Sequence, residues 1–227
     1  MAENFNFKKA LFVIGDVHGC FFTFLKLLDH WDPKKETLVQ LGDLIDTGKH
    51  SSKVLRLAQQ LKNTFKKEVV FLKGNHEHMM LRYFQGQDPE NKWLEKGNGR
   101  QTLEEFQENK IDPKIYLNWL FNLPLSWEND HIYISHAGIA DSAERPLDPD
   151  AADGVLWNRN PLKRLEKLQI IGHTPLKDGL PAYNGESNSW NIDTGAYKGQ
   201  GLTGLKFDKH GLLTNRISIT TENSDIY

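Results

Sequence analysis

A single cysteine, Cys20, rules out an internal disulfide and leaves no thiolate cluster to bind a soft metal. No apolar run approaches the length needed to cross a bilayer. The opening stretch MAENFNFKKALFVIGD lacks the order of a signal peptide, because its apolar run is short and ends in Gly-Asp. A cytoplasmic protein without a membrane partner is therefore expected. Neither sign of charge dominates: 28 Lys and Arg stand against 30 Asp and Glu, so there is no electrostatic case for nucleic acid or for an acidic membrane surface. Internal repeats, low-complexity tracts and linkers rich in Pro, Gly or Ser are also missing, and one domain spanning residues 1–227 is expected. The remaining balance, 38% hydrophobic and 26% charged over 227 residues, is that of an ordinary globular chain able to bury a core.

Within that chain, short apolar runs alternate with helical stripes. Residues 10–15 (ALFVIG) read as a buried strand, and Phe21, Phe24, Leu25, Leu28 and Trp31 follow at helical spacing. A strand at 37–42, a helix at 51–65, a strand at Val69–Leu72 and a helix from Met79 to Phe84 complete a β-α-β-α-β-α pattern. Such a pattern predicts parallel strands joined by right-handed crossovers. Residues 86–130 differ in texture, with Gly and Pro punctuating two short helices near 101–109 and 113–122, and read as a small helical cap inserted in the domain. Strands resume at Ile132–Ser135 and Leu168–Ile171. The tail strands at Trp190–Asp193, Leu202–Asp208 and Leu212–Thr220 are expected to be antiparallel. The fold class is α/β, with a sheet system running from parallel to antiparallel.

The ends of these strands carry the chemistry. Leu38–Asp46 (LVQLGDLID) is a buried strand that stops at Gly42 and is followed by Asp43 and Asp46. The same punctuation recurs at Gly15-Asp16-Val17-His18-Gly19, at Gly74-Asn75-His76-Glu77, at His136 and at His173. Open α/β sheets hold their ligands beyond the carboxyl ends of the strands. Asp16, His18, Asp43, Asn75, His136 and His173 offer carboxylate, amide oxygen and imidazole, a donor set suited to Mn²⁺, Fe, Zn²⁺ or Mg²⁺. Six donors exceed one tetrahedral ion and suit two ions sharing a carboxylate. Two ions about 3.5–4 Å apart grip both oxygens of an in-line phosphoryl displacement. His76 and Asp46 are left over, and a histidine held by a carboxylate can stay protonated and give its proton to a leaving alcohol.

Taken in order, these motifs resemble the calcineurin-like metallophosphoesterases. Within them they resemble the phosphoprotein phosphatase family, which includes the bacteriophage lambda phosphatase, and the similar bacterial symmetrical diadenosine tetraphosphate hydrolases. The resemblance runs from about Leu11 to Gly195. It implies an αββα sandwich with two mixed central sheets and a pair of divalent ions, with Mn²⁺ expected. It further implies that Asp16, His18 and Asp43 hold the first ion, and that Asp43 bridges to a second held by Asn75, His136 and His173. A hydroxide between the ions would be the nucleophile, His76 the general acid, and Asp46 its orienting partner. The family's phosphate-binding arginines are only partly kept. Thr47 stands where one is usual, Lys73 replaces a second, and Arg159 retains the third. Lys49, or Arg100 in the Asn98-Gly99-Arg100 turn, is the expected replacement for the guanidinium missing at Thr47.

Taken singly, the motif residues have plainer readings. Asp and Asn after strands are common turn formers, and one buried His is more often structural than a ligand. Six donors at six matching places outweigh that reading. Cys20 begins a helix, where a thiol pKa can fall, but no partner nearby makes it a nucleophile, so packing is expected. His30, His50, His78, His131 and His210 read as surface or core residues, and Asp193 as a brace for the His173 loop. The function expected first is a two-metal phosphomonoesterase acting on a phosphorylated protein or small phosphoester, most like a serine/threonine phosphatase. A symmetrical dinucleoside tetraphosphate hydrolase comes second and a binding scaffold without activity last, since a degenerate scaffold should have lost ligands that this chain keeps.

Overall fold

The computed structural model describes residues 9–227. The start of the stretch read above as lacking a signal peptide lies outside them. β1 (Ala10–Ile14), α1 (Phe21–Leu28), β2 (Glu36–Gln40), α2 (Ser51–Phe65), β3 (Val69–Phe71) and α3 (Asn75–Phe84) form the first half. β1 pairs in parallel with β2, and β2 with β3, as the alternating pattern predicts. The inserted segment contributes α4 (Lys92–Lys96), α5 (Gly99–Glu108), α6 (Leu117–Phe121) and β4 (Ser126–Glu128). There follow β5 (Ile132–Ser135), β6 (Leu168–Ile171), β7 (Ala182–Asn184), β8 (Ser189–Asn191), β9 (Leu202–Phe207) and β10 (Leu213–Ile219). Two mixed five-stranded sheets result, ordered β10-β9-β1-β2-β3 and β4-β5-β6-β8-β7. The expected two-sheet α/β sandwich is what the chain builds.

β1 shows why its sequence is apolar without a break. Phe12 and Ile14 point into a core shared with the helices, where they join Phe24, Leu27, Val54, Leu55 and Met80. Leu11 and Val13 point the other way, into the core between the sheets, with Val39, Ile134, Ile170 and Leu205. A strand covered on both faces has no polar face to show. The insertion shares the first of these cores through Trp93, Phe106 and Leu120. On the outer face of the second sheet, Gln169 accepts from the Ile139 amide and donates to the Lys163 carbonyl, so the irregular segment between β5 and β6 is laid across it.

Four local expectations change. Helix α3 begins at Asn75 rather than Met79, because Glu77 at its third position accepts the amide of the extended residue Gly74 (2.8 Å) and caps the first turn. α4 is only five residues long, too short for a helical period to register. β4 and β7 are three residues each and were not expected; β7 is an exposed edge without apolar alternation. β8 is antiparallel to β7 but parallel to β6, because a short hairpin at the sheet's end fixes one direction and the crossover from β6 fixes the other.

The two sheets meet closely at Gly15, where a Cβ would lie 2.4 Å from the Ile192 carbonyl oxygen. Backbone cannot yield there as a flexible side chain would. Gly15→Ala should cost about 1–3 kcal/mol and lower Tm by about 2–4 °C for each kcal/mol. Gly185→Ala, whose new methyl would meet only Tyr183 Cε1 at 3.8 Å, should leave Tm unchanged. Thermal melts of both variants check the pair.

Candidate metal and active site

Every predicted ligand follows the carboxyl end of a strand: Asp16 and His18 after β1, Asp43 after β2, Asn75 after β3, His136 after β5 and His173 after β6. Both sheets present these ends along one edge, so the loops converge. Asp43 is the meeting point. Its Oδ2 lies 3.3 Å from His18 Nε2 and 3.3 Å from His136 Nε2. Two groups of potential ligands share it, one with His18 and His76 and the other with His136 and His173. Asn75 Oδ1 completes the second, at 2.8 Å from His136 Nε2 and 2.9 Å from His173 Nδ1.

The donor set fits cations. His136 Nδ1 donates to the Leu41 carbonyl (3.1 Å), which turns the lone pair of Nε2 toward Asn75, Asp43 and His173. His18 Nδ1 likewise donates to the Ile45 carbonyl (3.0 Å) and presents Nε2 to Asp43. A second hydrogen bond that fixes the ligating nitrogen is usual for metal-binding histidines. One proton cannot satisfy the three acceptors crowded around His136 Nε2, whereas a cation would. Asp16 stands outside the closest groupings. Its Oδ2 accepts the His173 amide (2.8 Å), while Oδ1 is buried without a partner, as are His173 Nε2 and Asp193 Oδ2. Buried polar atoms left unpaired are costly and call for a ligand.

The loops are held in strained shapes. His18, Asp43, Asp46, Thr47 and His173 all have positive φ, between 44° and 72°. Side chains rarely adopt this region, least of all a β-branched one such as Thr47, and such strain gathers at functional sites. Glu77, buried and not singled out from sequence, offsets it by accepting the amides of Asp43, Leu44 and Gly74, each at 2.8 Å. Its signal was present in Gly-Asn-His-Glu as an acid at the third position of a helix.

Charge is balanced inside the cluster. Burial would raise the Asp43 carboxyl, but the rings of His136 and His76 hold it well below the usual range. Burial also opposes charge on His18 and His136, yet Asp43 outweighs it and lifts each to about 9. His173 goes the other way, to about 3, through burial and the nearby His136 charge. Burial, then Asp193, raises Asp16. Cys20 is packed in the core, and burial raises its thiol instead of activating it.

His76 and Asp46 do meet: His76 Nδ1 donates to Asp46 Oδ2 at 2.7 Å, with His76 Nε2 4.0 Å from Asp43 Oδ2. Asp46 has further partners that sequence did not reveal. Trp93 Nε1 donates to Oδ2 (2.8 Å), Thr102 Oγ1 donates to Oδ1, and the Asp46 amide donates to Ser51 Oγ (3.0 Å). Tyr197 packs edge-on against His18, and burial raises its phenol to about 12. Asp193 accepts the Leu176 amide through its carbonyl, tying down the segment after His173.

The four cations expected to bind phosphate divide. Arg159 donates to Thr174 Oγ1 (3.1 Å), beside His173, and its charge reaches the His173 ring. Lys73 is buried and donates to the Phe121 carbonyl (2.9 Å). Lys49 lies over the Tyr227 ring, and Arg100 pairs with Glu95 at the surface. Among the described residues, neither Lys49 nor Arg100 hydrogen-bonds or ion-pairs with the cluster. Thr47 itself accepts from Asn98 Nδ2 (3.1 Å), a contact that spends the Asn98-Gly99-Arg100 turn on the Thr47 loop.

The chain belongs to the calcineurin-like phosphoesterases, whose family model matches residues 10–201. It is similar to the asymmetrical bis(5'-nucleosyl)-tetraphosphatase PrpE of Oceanobacillus iheyensis, 28% identical across 86% of this chain and 87% of that protein. In fold it is similar to a cold-active protein-tyrosine phosphatase of a psychrophilic Shewanella, with TM-score 0.66, 18% identity and coverage of 97% of this chain and 83% of that one. A protein serine/threonine phosphatase from Saccharomyces cerevisiae gives TM-score 0.62 at 15% identity, covering 95% and 81%. The chain is thus a metal-dependent phosphatase, of a family that uses a pair of divalent ions. No helix among the described residues is long and apolar enough to cross a membrane.

Because His18 and His136 keep protons up to about 9 without ions, cations must displace them. Metal uptake near neutral pH should release protons, and affinity should rise with pH until about 9. Calorimetry in buffers of different ionisation enthalpy measures this; a proton count of zero would contradict the ligand assignment.

Proposed function

We propose that this enzyme hydrolyses phosphoester and phosphoanhydride bonds with a metal pair and a protonated His76. Asp16, His18 and Asp43 would hold one ion, and Asp43, Asn75, His136 and His173 the other. The all-oxygen-and-nitrogen donor set suits Mn²⁺. When bound, the ions supply Lewis acidity toward water and the phosphoryl oxygens. The observation that carries the reading is the 2.7 Å bond between His76 Nδ1 and Asp46 Oδ2. It leaves Nε2 on the side of Asp43, placed to protonate a leaving oxygen. Burial disfavours the His76 charge, but Asp43 and the Asp46 hydrogen bond outweigh it and raise the pKa, so the proton is retained at neutral pH.

For substrate, we favour a dinucleoside polyphosphate. The likeness to PrpE over most of both chains supports it. So does the reduced phosphate grip: with Lys73 and Lys49 engaged elsewhere and Thr47 in place of a guanidinium, a single phosphoryl group is weakly held. A polyphosphate brings further handles for Arg159. A cavity of about 600 Å³ beside α3, lined in part by His78, Arg82, Lys92 and Trp157, has room for a nucleoside. A second reading, a phosphorylated serine or threonine, is favoured by the acid pair itself, since an alkoxide needs a proton more than a nucleotide does. A cytoplasmic location accords with either substrate.

His76→Asn should leave bound metal unchanged and lower kcat on an alkyl phosphate by ~10²–10⁴-fold. The loss should be much smaller on nitrophenyl phosphate, whose leaving group hardly needs a proton. Equal losses on both esters would remove His76 from the acid role. Substrate class is tested by assaying a dinucleoside tetraphosphate beside a phosphopeptide. Release of a nucleoside monophosphate and triphosphate is the expected outcome; two diphosphates would mark symmetrical cleavage. A phosphopeptide turned over far faster than either would establish the second reading.

A further inference from the structure

The general-acid pair has a second layer, and it comes entirely from elsewhere in the chain. Asp46 is fully buried and adopts a strained backbone with φ 72°. Each oxygen of its carboxylate is claimed: Oδ2 by His76 and by Trp93 Nε1, Oδ1 by Thr102 Oγ1. Trp93 and Thr102 lie on α4 and α5, in the insertion that reads from sequence as a cap. Their positions are set with care. The Trp93 amide is held by Asp88 Oδ2 (3.1 Å), and its ring, itself fully buried, packs against Tyr83 with centroids 5.3 Å apart. Gly99 covers that ring so closely that a Cβ there would lie 2.4 Å from Trp93 Cδ2. Thr102 stands 3.5 Å from Ser51 Oγ, which accepts the Asp46 amide.

We propose that Trp93 and Thr102 are positioning residues for the general acid, and that the insertion serves proton delivery rather than forming a lid. A carboxylate held only by the histidine it orients can turn about its own side-chain bond and carry the ring with it. Donors on both oxygens stop that rotation. They also stabilise the buried anion by hydrogen bonds to its charged form. The negative charge is then shared among three donors, and less of it is concentrated on the proton at His76 Nδ1. The imidazole keeps its orientation and tautomer, and Nε2 stays aimed at the leaving oxygen. This inference rests on the reading of His76 as the acid.

The test uses Thr102→Val, which keeps shape, and Trp93→Phe, which keeps an aromatic ring; each removes one donor, and Thr102→Ser restores the hydroxyl. A hydrogen bond to a charged group is worth about 1.5–3 kcal/mol, or roughly ten- to a hundred-and-fifty-fold in rate. Each donor-removing variant should lose about that much kcat on an alkyl phosphate, stay within about twofold on nitrophenyl phosphate, and bind metal as before. Thr102→Ser should recover most of the loss. In a His76→Asn background neither change should lower the rate further, because the group they position is gone. Equal losses on both esters, or losses that persist without His76, would reduce both residues to packing and overturn the proposal while leaving the acid assignment intact. If His76→Asn itself shows no leaving-group dependence, acid and clamp fall together. Should Trp93→Phe fail to fold, the Thr102 pair decides.

Discussion

Asp43 is the residue on which the rest of this architecture turns. Its side chain faces His18 from the first sheet and His136 from the second, both at 3.3 Å. Its Oδ1 accepts the His76 amide (3.1 Å) and thereby sets the start of α3. Its carbonyl accepts the amides of Val17 (3.1 Å) and His18 (2.8 Å), binding the loop after β1 to the loop after β2. A buried anion contacted from so many directions is stable only because positive charge gathers on it. Without ions that charge comes from protons on the surrounding rings; divalent ions held there would supply it instead.

Distant pieces of chain are spent on holding these loops still. α1 is preceded by Cys20, which offers no side-chain cap. Asp225, near the other end of the chain, supplies it by accepting the amides of Phe22 (3.0 Å) and Thr23 (2.8 Å). The Asp225 carbonyl also accepts the Lys49 amide (2.9 Å), so the same residue steadies the turn that follows Asp46. The insertion works on that turn from the opposite side, through Asn98 on Thr47 and through Trp93 and Thr102 on Asp46. Positive φ at Asp46 and Thr47 is tolerated because contacts from two separate regions over-determine the turn.

Residues 86–130 read from the sequence as a small helical cap inserted in the domain. Their apolar side chains instead enter the main core, and their polar ones reach the acid pair. Arg100, the one residue of the segment nominated for phosphate, is paired at the surface with Glu95. Of the other cations expected to bind phosphate, Arg159 lies beside His173 and the Lys73 ammonium is drawn to the Phe121 carbonyl.

The order of strands and helices in the first half, the clustering of six polar residues at the strand ends and the pairing of His76 with Asp46 were all legible before any coordinate. Each depends on local chemistry: a buried strand must be apolar, it must stop at a turn, and a polar residue just past the stop is placed by the strand itself. The length of α3 was misjudged because its cap lies in a side chain three residues along, and β7 went unseen because an exposed edge has no alternation to show. Thr47 could be recognised as a departure, but not what had replaced the arginine, since the candidates nearest in sequence turned out to be engaged elsewhere. The direction of β8, the partners of Lys49 and Arg100, and the donors on Asp46 were decided only by tertiary structure. Sequence alone determined which groups stand at the strand ends. Which distant side chains close on them was left to packing, because a hydrogen bond between Trp93 and Asp46 leaves no periodic trace in the chain that folds to make it.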